Sequence, residues 1–211
     1  MGARQSRDPG YLYDAMTRPF ALVLALVAAS AGPAGPAGAQ AAKNYTPADV
    51  HFVAGMIGHH AQAIQMAGWA PSHGAGPSVR VLCERIVVAQ NDEIVFAQRW
   101  LKEHGEYVPP ADPRGHIMQG MDHPMLMPGM LTPEQMAQLD SARGPEFDRL
   151  FLTFMIQHHQ GAITMVRQLL AVPGAAQDGP IFRFASDVNV DQTTEINRMT
   201  LMLNDLKRSS Q

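Results

Sequence analysis

The chain has 211 residues, a formal net charge of −3 at pH 7 and 46% hydrophobic residues. It has no basic stripe and no glycine-aromatic motif, which argues against a nucleic-acid partner. About 170 residues remain after the N-terminal segment described next, enough for one domain with a hydrophobic core of its own.

Residues 1–39 are typical of an export signal. Arg18 precedes the apolar run Phe20–Ala29, and Ala37-Gly38-Ala39 matches a small-x-small cleavage site. The run of about ten residues is shorter than the roughly 20 that a membrane-spanning helix needs, and an uncleaved anchor is the alternative. Met16 is an alternative start, and no cysteine near the cleavage site indicates a lipoprotein. We expect an exported protein, periplasmic or extracellular, with no membrane span after cleavage.

The mature chain, residues 40–211, is expected to form a single domain that begins with two helices. Thr46-Pro47 combines an N-cap residue with Pro at the first helical position, and the helix extends to about Trp69. A second helix covers about residues 78–104. Its apolar-periodic part contains Cys83, the single cysteine, so no internal disulfide can form. We interpret Cys83 as a small buried residue, with a reactive thiol or a metal ligand as alternatives.

A crossover of about 40 residues, 105–143, then connects two halves of the chain. Such a long loop inside a compact domain usually has a function or is disordered. Five methionines and two histidines lie within fifteen residues of it: His116, Met118, Met121, His123, Met125, Met127 and Met130. Methionine is flexible and easily oxidised, so its repeated use in an exported loop indicates metal-binding sulfurs. An apolar lid folded back onto the bundle is the alternative.

Two more helices follow the crossover. One begins at Gly144-Pro145 and extends to about Val172, and the other covers about Pro180 to Lys207. No segment shows sustained alternation of apolar and polar residues, so strands are not expected. Two short hairpins joined by one long crossover predict an all-α fold, a four-helix bundle of the ferritin-like kind.

The two halves repeat each other. Met56–Met66 matches Met155–Met165 at a constant offset of 99, and Gln90–Ile94 matches Gln192–Ile196 at an offset of 102. In-register identities that include two His-His pairs show that the domain is a duplication. The expected organisation is repeat 1 over about residues 46–104, the crossover over 105–143 and repeat 2 over about 144–208.

Each repeat places two adjacent imidazoles and two thioethers on its first helix. Adjacent histidines point about 100° apart, so at most one of each pair faces the bundle centre squarely. Imidazole suits copper, zinc, iron and nickel, and thioether sulfur narrows the choice towards Cu(I), with Cu(II) as the alternative. The predicted ligands on the helices are His59, His60, His158, His159, Met56, Met66, Met155 and Met165, joined by the seven crossover residues. Structural histidines and core methionines remain the alternative.

Other polar residues are candidates for orienting the imidazoles by accepting their second N–H. They are Asp49, Gln90, Glu93, Asp148, Gln192 and Glu195. Polar groups satisfied within the bundle are the alternative for the Gln and Glu residues, and stabilisation of a first helical turn is the alternative for the Asp residues. Three histidines without a repeat partner are expected at the surface: His51, His73 and His104.

Several kinds of enzyme lack their motifs in this chain. A carboxylate-bridged di-iron bundle needs Glu-x-x-His, which does not occur. His-Glu-x-x-His, Gly-x-Ser-x-Gly and a phosphate-binding glycine loop are also missing. The sequence therefore indicates no catalytic residue.

The paired Met-Ile-x-His-His-x3-Ile-x-Met motifs, each followed by Gln-x-x-Glu-Ile, resemble domain-of-unknown-function family 305, which includes the CopM-like copper proteins. Phe147-Asp148-x2-Phe151 and Met127-Pro-Gly-Met130 also resemble that family, and the likeness covers about residues 46–206. It implies a ferritin-like bundle, an exported location and, for some members, copper binding linked to metal tolerance. One departure is Ala97, where the second repeat has Met199 in the family's Met position.

From these patterns we expect an exported protein that binds copper through His and Met for sequestration, transfer or tolerance. A copper-transfer protein is the expected partner. Two alternatives stay open at this point: a metal-dependent oxidoreductase on the same bundle, and a bundle with a structural or interaction role. Oxygen uptake would mark the first alternative, and indifference of the melting temperature to copper would mark the second.

Overall fold

The computed structural model describes residues 43–209, so the expected export signal lies outside the described residues. The described backbone forms five α-helices and no strand: α1 (Pro47–Gly68), α2 (Pro77–Glu103), α3 (Pro133–Ser141), α4 (Pro145–Leu170) and α5 (Gly179–Ser209). The expected all-α, ferritin-like four-helix bundle is confirmed by α1, α2, α4 and α5. Between residues 43 and 209, no helix is long and apolar enough to cross a membrane.

Proline and polar caps define where the helices begin. Helices α1 to α4 each have Pro in the first turn, a position where the missing N–H has no helical partner to lose. Thr46 and Asp49 form a reciprocal capping box at the start of α1. At the start of α5, Asp178 Oδ1 accepts a hydrogen bond from the backbone N–H of Ile181 at 3.2 Å.

Helix α3 corrects the expectation of a crossover without secondary structure. Thr132 and Gln135 form a capping box around Pro133 and start a nine-residue helix. The sequence carried this signal, since Thr-Pro-x-Gln is a helix-start pattern. Because α3 lies against both α1 and α4, it ties the second part of the crossover to the bundle.

The four long helices pack as two hairpins that meet along one seam. Helix α1 packs on α2, α4 packs on α5, and α1 contacts α4 to join the hairpins. On the far side α2 and α5 meet through Phe96 and Phe184, whose ring centroids are 4.8 Å apart. Next to these rings a groove remains open between α2 and α5.

The hydrophobic core has two halves. One contains Phe52, Met56, Leu101 and Phe184, and the other contains Leu82, Phe147, Phe151 and Met199. On every long helix the buried side chains between the two halves are polar, so a polar layer crosses the middle of the bundle. This layer is where the histidine motifs lie.

Cys83 is buried in the second core half, which agrees with its interpretation as a small buried residue. Burial raises the pKa of its thiol to about 12. Because the thiolate is the nucleophile and the metal ligand, a thiol held in the protonated form does not support the reactive-thiol alternative.

Candidate metal centre

The polar layer is formed by two residues from each long helix. They are His59 and His60 on α1, Gln90 and Glu93 on α2, His158 and His159 on α4, and Gln192 and Glu195 on α5. Among them the four histidines are at most 1% exposed. The repeat therefore brings its histidines, glutamines and glutamates together at one level of the bundle.

The centre of the layer is a contact between the two repeats. The rings of His59 and His158 have their centroids 3.8 Å apart at an interplanar angle of 40°. The neighbouring rings of His60 and His159 lie 6.1 and 6.3 Å from their sequence partners. One histidine of each pair thus faces the other repeat, as the 100° spacing of adjacent residues requires.

The second histidine of each pair faces a glutamate of its own hairpin. His159 Nε2 donates a hydrogen bond to Glu195 Oε2 at 2.7 Å. His60 Nε2 lies 2.8 Å from Glu93 Oε2, although within residues 43–209 neither atom has an aligned hydrogen bond. A carboxylate at one ring nitrogen favours a proton there and leaves the other nitrogen, Nδ1, with its lone pair.

The two central histidines are held neutral. Burial, followed by the nearby His60, lowers the pKa of His59 to about 3. Burial also lowers the pKa of His158 well below its usual range, and His59 adds to this effect. His59 Nε2 lies 3.0 Å from the carbonyl oxygen of Pro128. Because a carbonyl can only accept, Nε2 donates, and Nδ1 of His59 keeps its lone pair.

Several buried polar atoms of the layer lack hydrogen-bond partners in the part of the chain that the structure describes. They include Nδ1 of all four histidines, Nε2 of His158, both amide atoms of Gln90 and Oε1 of Gln192. Buried polar atoms are nearly always satisfied, because leaving them unpaired costs about 1–3 kcal/mol each. Unprotonated imidazole nitrogens without a donor are the atoms that a metal ion would engage.

A preformed metal cage is not present in the described chain. No group of three or more His, Cys, Asp or Glu side chains between residues 43 and 209 is arranged to hold a metal ion. The donors at hand are imidazole nitrogens and thioether sulfurs.

The four helix methionines are all buried, but at different heights. Met56 and Met155 precede the central histidines by three residues, roughly 4.5 Å along the helix. Met66 and Met165 follow them by seven residues, roughly 10 Å. All four belong to the two core halves, and spacing alone favours Met56 and Met155 as the nearer neighbours of the imidazoles.

The crossover covers the α1–α4 seam above the histidines. Gln62 donates to the carbonyls of Pro113 and Leu131, both at 3.1 Å, and accepts from the Leu131 N–H at 2.7 Å. On α4, a Cβ added to Gly161 would lie 1.9 Å from the Pro128 oxygen, so the crossover lies directly on the helix backbone.

The structure divides the crossover candidates between two places. Met127 and Met130 are buried in the core, where Met130 Sδ accepts from the Met127 N–H at 3.3 Å. His116 is buried beside the exposed His51, with ring centroids 5.8 Å apart. The remaining four form an outer arc that is exposed or half-buried: Met118, Met121, His123 and Met125. The seven residues therefore do not form one cluster.

Asp49 and Asp148 do not orient the imidazoles, which corrects the interpretation from sequence. Each lies ten residues before a central histidine, roughly 15 Å along the helix. Asp49 Oδ1 accepts from the Ala176 N–H at 2.7 Å, and Asp148 accepts from the Gly76 N–H at 3.1 Å. The two aspartates therefore connect the hairpins reciprocally, one at each end of the bundle.

The unpaired histidines are only partly at the surface. His51 is exposed and His104 is half-buried against Trp100, but His73 is 4% exposed, contrary to expectation. His73 Nε2 lies 2.9 Å from the Asp140 carbonyl oxygen and 3.0 Å from Asp140 Oδ1. This contact attaches the α1–α2 turn to the end of α3.

Reasoning from the sequence missed the residues that hold the crossover. They are Gln62, Gly58, Gln157, Gly161 and the carbonyl of Pro128. A signal was present, because Gly58 aligns with Gln157 and Gln62 aligns with Gly161 in the repeat. Positions at which two otherwise similar repeats differ are therefore candidates for contacts with a segment that occurs only once.

A family model described as "Domain of unknown function (DUF305)" matches residues 49–203. The chain belongs to the DUF305 family. Its match includes the whole polar layer and the crossover, and it confirms the resemblance seen in the sequence.

Solved DUF305 structures have the same fold. A Streptomyces coelicolor protein described as secreted is 25% identical, covers 78% of this chain and 95% of its own, and has a TM-score of 0.65. A Deinococcus radiodurans DUF305 fragment is 27% identical, with 76% and 98% covered and a TM-score of 0.64. Cu(I)-bound CopM is 25% identical, with 74% and 96% covered and a TM-score of 0.57. CopM has also been solved with Cu(II) and with silver. No curated protein matches the chain significantly.

Proposed function

We propose that this DUF305 protein binds a soft metal ion in its polar layer, Cu(I) in preference to Cu(II). The observation that carries the proposal is the set of buried imidazole nitrogens without hydrogen-bond partners in the described chain. A soft cation would accept their lone pairs and compensate their burial. As an exported protein, in the periplasm or outside the cell, it would then sequester copper or pass it on.

Each part of the layer has a distinct task in this proposal. His59 and His158 supply nitrogen donors at the centre, and Met56 and Met155 are the thioethers nearest to them. Glu93 and Glu195 keep the outer imidazoles in one tautomer and orientation. Because the central rings are neutral at pH 7, no proton has to leave a central nitrogen before metal binds.

The relatives support the metal and the compartment in separate ways. CopM, which has this fold, has been solved with Cu(I) and with Cu(II). The Streptomyces coelicolor relative is described as secreted, which is consistent with an export signal before residue 40.

Cu(I) stoichiometry tests the proposal. In anaerobic competition with a chromophoric Cu(I) chelator, the His59→Leu/His158→Leu double variant should lose the tightest site. Leucine preserves most of the buried volume, and unchanged helicity would show that the variant folds. X-ray absorption of the loaded wild type should show nitrogen neighbours that disappear in the variant.

A matched control uses the outer arc. The Met118→Ser/Met121→Ser/Met125→Ser variant removes three exposed or half-buried sulfurs away from the layer and should keep the tightest site. Tight binding that persists in the histidine variant and disappears in the outer-arc variant would refute the polar layer as the metal centre.

A further inference from the structure

The imidazoles of the polar layer are closed to solvent on the side of the crossover. His59 Nε2 bonds the Pro128 carbonyl, and the backbone at Pro128 and Gly129 lies directly on Gly161. The histidines are at most 1% exposed. A metal ion therefore needs another way to reach them.

The opposite side of the bundle is open. A groove of about 730 Å³ lies between α2 and α5, and Glu93 is part of its wall. The side chain of Glu93 is 18% exposed and that of Glu195 is 17% exposed. These two glutamates are therefore the members of the polar layer with the greatest contact with solvent.

The groove has an excess of negative charge. Its wall contains Asp92, Glu93, Glu103, Asp187 and Asp191 against Arg99 and Arg183. Partial burial, followed by the nearby charges of Glu93, Asp187 and Glu195, raises the pKa of Asp191. Clefts lined by one sign of charge concentrate oppositely charged ions and raise association rates.

A buried nitrogen contacts a wall residue of this groove. His60 is 1% exposed, and its Nε2 lies 2.8 Å from Glu93 Oε2, with neither atom in an aligned hydrogen bond within the described chain. On the other hairpin His159 Nε2 lies 2.7 Å from Glu195 Oε2 and donates a hydrogen bond to it. From the solvent inwards, each hairpin therefore presents a glutamate, then the outer histidine that it contacts, and then the central pair His59 and His158.

We infer that the α2–α5 groove is the access route by which a cation reaches the polar layer, with Asp187 and Asp191 as the capture site for the hydrated ion. Glu93 and Glu195 then pass the ion to His60 and His159. This inference rests on the proposed function, because it assumes that the layer binds a metal ion.

Silver(I) uptake tests the route, since silver is a soft cation that does not change its oxidation state here. Wild type and an Asp187→Asn/Asp191→Asn variant are mixed rapidly with silver nitrate in chloride-free buffer. A chelator quench at increasing times gives the silver retained. Uptake by the variant should be about tenfold slower at low ionic strength, and the difference should disappear in about 0.5 M nitrate, where the Debye length is only a few Å.

Two further variants make the result specific. Glu84→Gln/Asp205→Asn removes the same charge away from the groove and should load at the wild-type rate. Met127→Leu/Met165→Leu alters the alternative opening, a cavity of about 140 Å³ lined by His51, Met127 and Met165. Slower uptake in this methionine variant, with normal uptake in the aspartate variant, would overturn the inferred route.

The outcomes separate this inference from the proposed function. Retention of silver with identical rates in the aspartate variant and the wild type would refute the access route alone. Retention of neither silver nor Cu(I) by the wild type would refute both. Slow uptake in the aspartate variant that is restored by salt supports both.

Discussion

The two repeats agree at every position of the polar layer and differ where they meet the crossover. Gly58 on α1 corresponds to Gln157 on α4, and Gln62 corresponds to Gly161. Gln62 binds the crossover at Pro113 and Leu131, and Gln157 binds it at the Gly129 carbonyl. Each helix therefore uses one glutamine to bind the crossover and one glycine to let it approach, in opposite order.

The difference shows how a duplicated fold accommodates a part that occurs once. A single crossover cannot contact both repeats identically, so His59 donates a hydrogen bond to the Pro128 carbonyl, whereas neither ring nitrogen of His158 has an aligned partner in the described residues. Similarly, Met199 fills one core half, while the half that contains Ala97 also receives Met127 and Met130. The crossover supplies thioethers where the first repeat lacks one.

The largest expected effect is the pH dependence of the free energy of unfolding, which tests how alike the two central histidines are. Their pKa values are lowered in the folded protein, to about 3 for His59. The unfolded chain therefore binds more protons below pH 6.5, and the metal-free protein should lose stability as the pH falls from 6.5 towards 3. Each histidine contributes at most about 1.4 kcal/mol per pH unit once its unfolded counterpart is protonated, so both together contribute up to about 3 kcal/mol between pH 6.5 and 5.

Urea unfolding at pH 7 and pH 5 measures this dependence. His59→Leu and His158→Leu should each remove about half of it, because both rings are fully buried. A wild-type protein equally stable at the two pH values would show that the rings are protonated without cost, and so contradict their neutral state.

A smaller effect is expected at the glycines under the crossover. Gly→Ala inside a helix normally stabilises by up to about 1 kcal/mol. At Gly161, however, the new Cβ would lie 1.9 Å from the Pro128 oxygen, and forcing the crossover away should lower the free energy of unfolding by about 2 kcal/mol. At Gly58 the closest atom is the Gly115 oxygen at 2.6 Å, so a smaller loss is expected.

Thermal or urea unfolding of Gly161→Ala, Gly58→Ala and Gly68→Ala tests this order. Gly68 has no atom within 4 Å of an added Cβ, so its variant is the matched control and should be as stable as the wild type or more stable. A stabilised Gly161→Ala protein would mean that the crossover does not lie on α4 in solution.

The smallest expected effect is the difference in stability loss between variants of the two aspartates that connect the hairpins. Asp49 accepts from the Thr46 N–H at 2.7 Å, the Thr46 hydroxyl at 2.8 Å and the Ala176 N–H at 2.7 Å. Asp148 accepts only from the Gly76 N–H among its bonds in the described chain. Asp49→Ala should therefore destabilise by about 2 kcal/mol and Asp148→Ala by about 1 kcal/mol.

Denaturant unfolding of both alanine variants measures the difference. Asp148→Asn keeps a side-chain oxygen that can accept from Gly76 and should lose less stability than Asp148→Ala. Equal losses for Asp49→Ala and Asp148→Ala would show that the capping box at Thr46 contributes nothing beyond the connection to the other hairpin.

Much of the fold was predictable from short-range patterns. Proline after a capping residue or glycine marks the starts of α1 and α4, and the same signal at Thr132-Pro133 would have predicted α3. The pairing of His60 with Glu93 and of His159 with Glu195 could be anticipated from the matched spacing in the repeats. The hydrogen-bond partners of Asp49 and Asp148 could not be anticipated, because they depend on how far one hairpin is shifted along the other.

The sequence by itself determined the helices, the duplication and which residues share a face, because helical periodicity and capping act over a few residues. Tertiary structure decided that His59 and His158 touch, that the outer arc is apart from them, and that one side of the layer is covered while the other opens between α2 and α5. These features depend on the register and separation of the packed helices. Side-chain volumes and the two glycine contacts of the crossover set that register and separation, over distances that no local sequence pattern encodes.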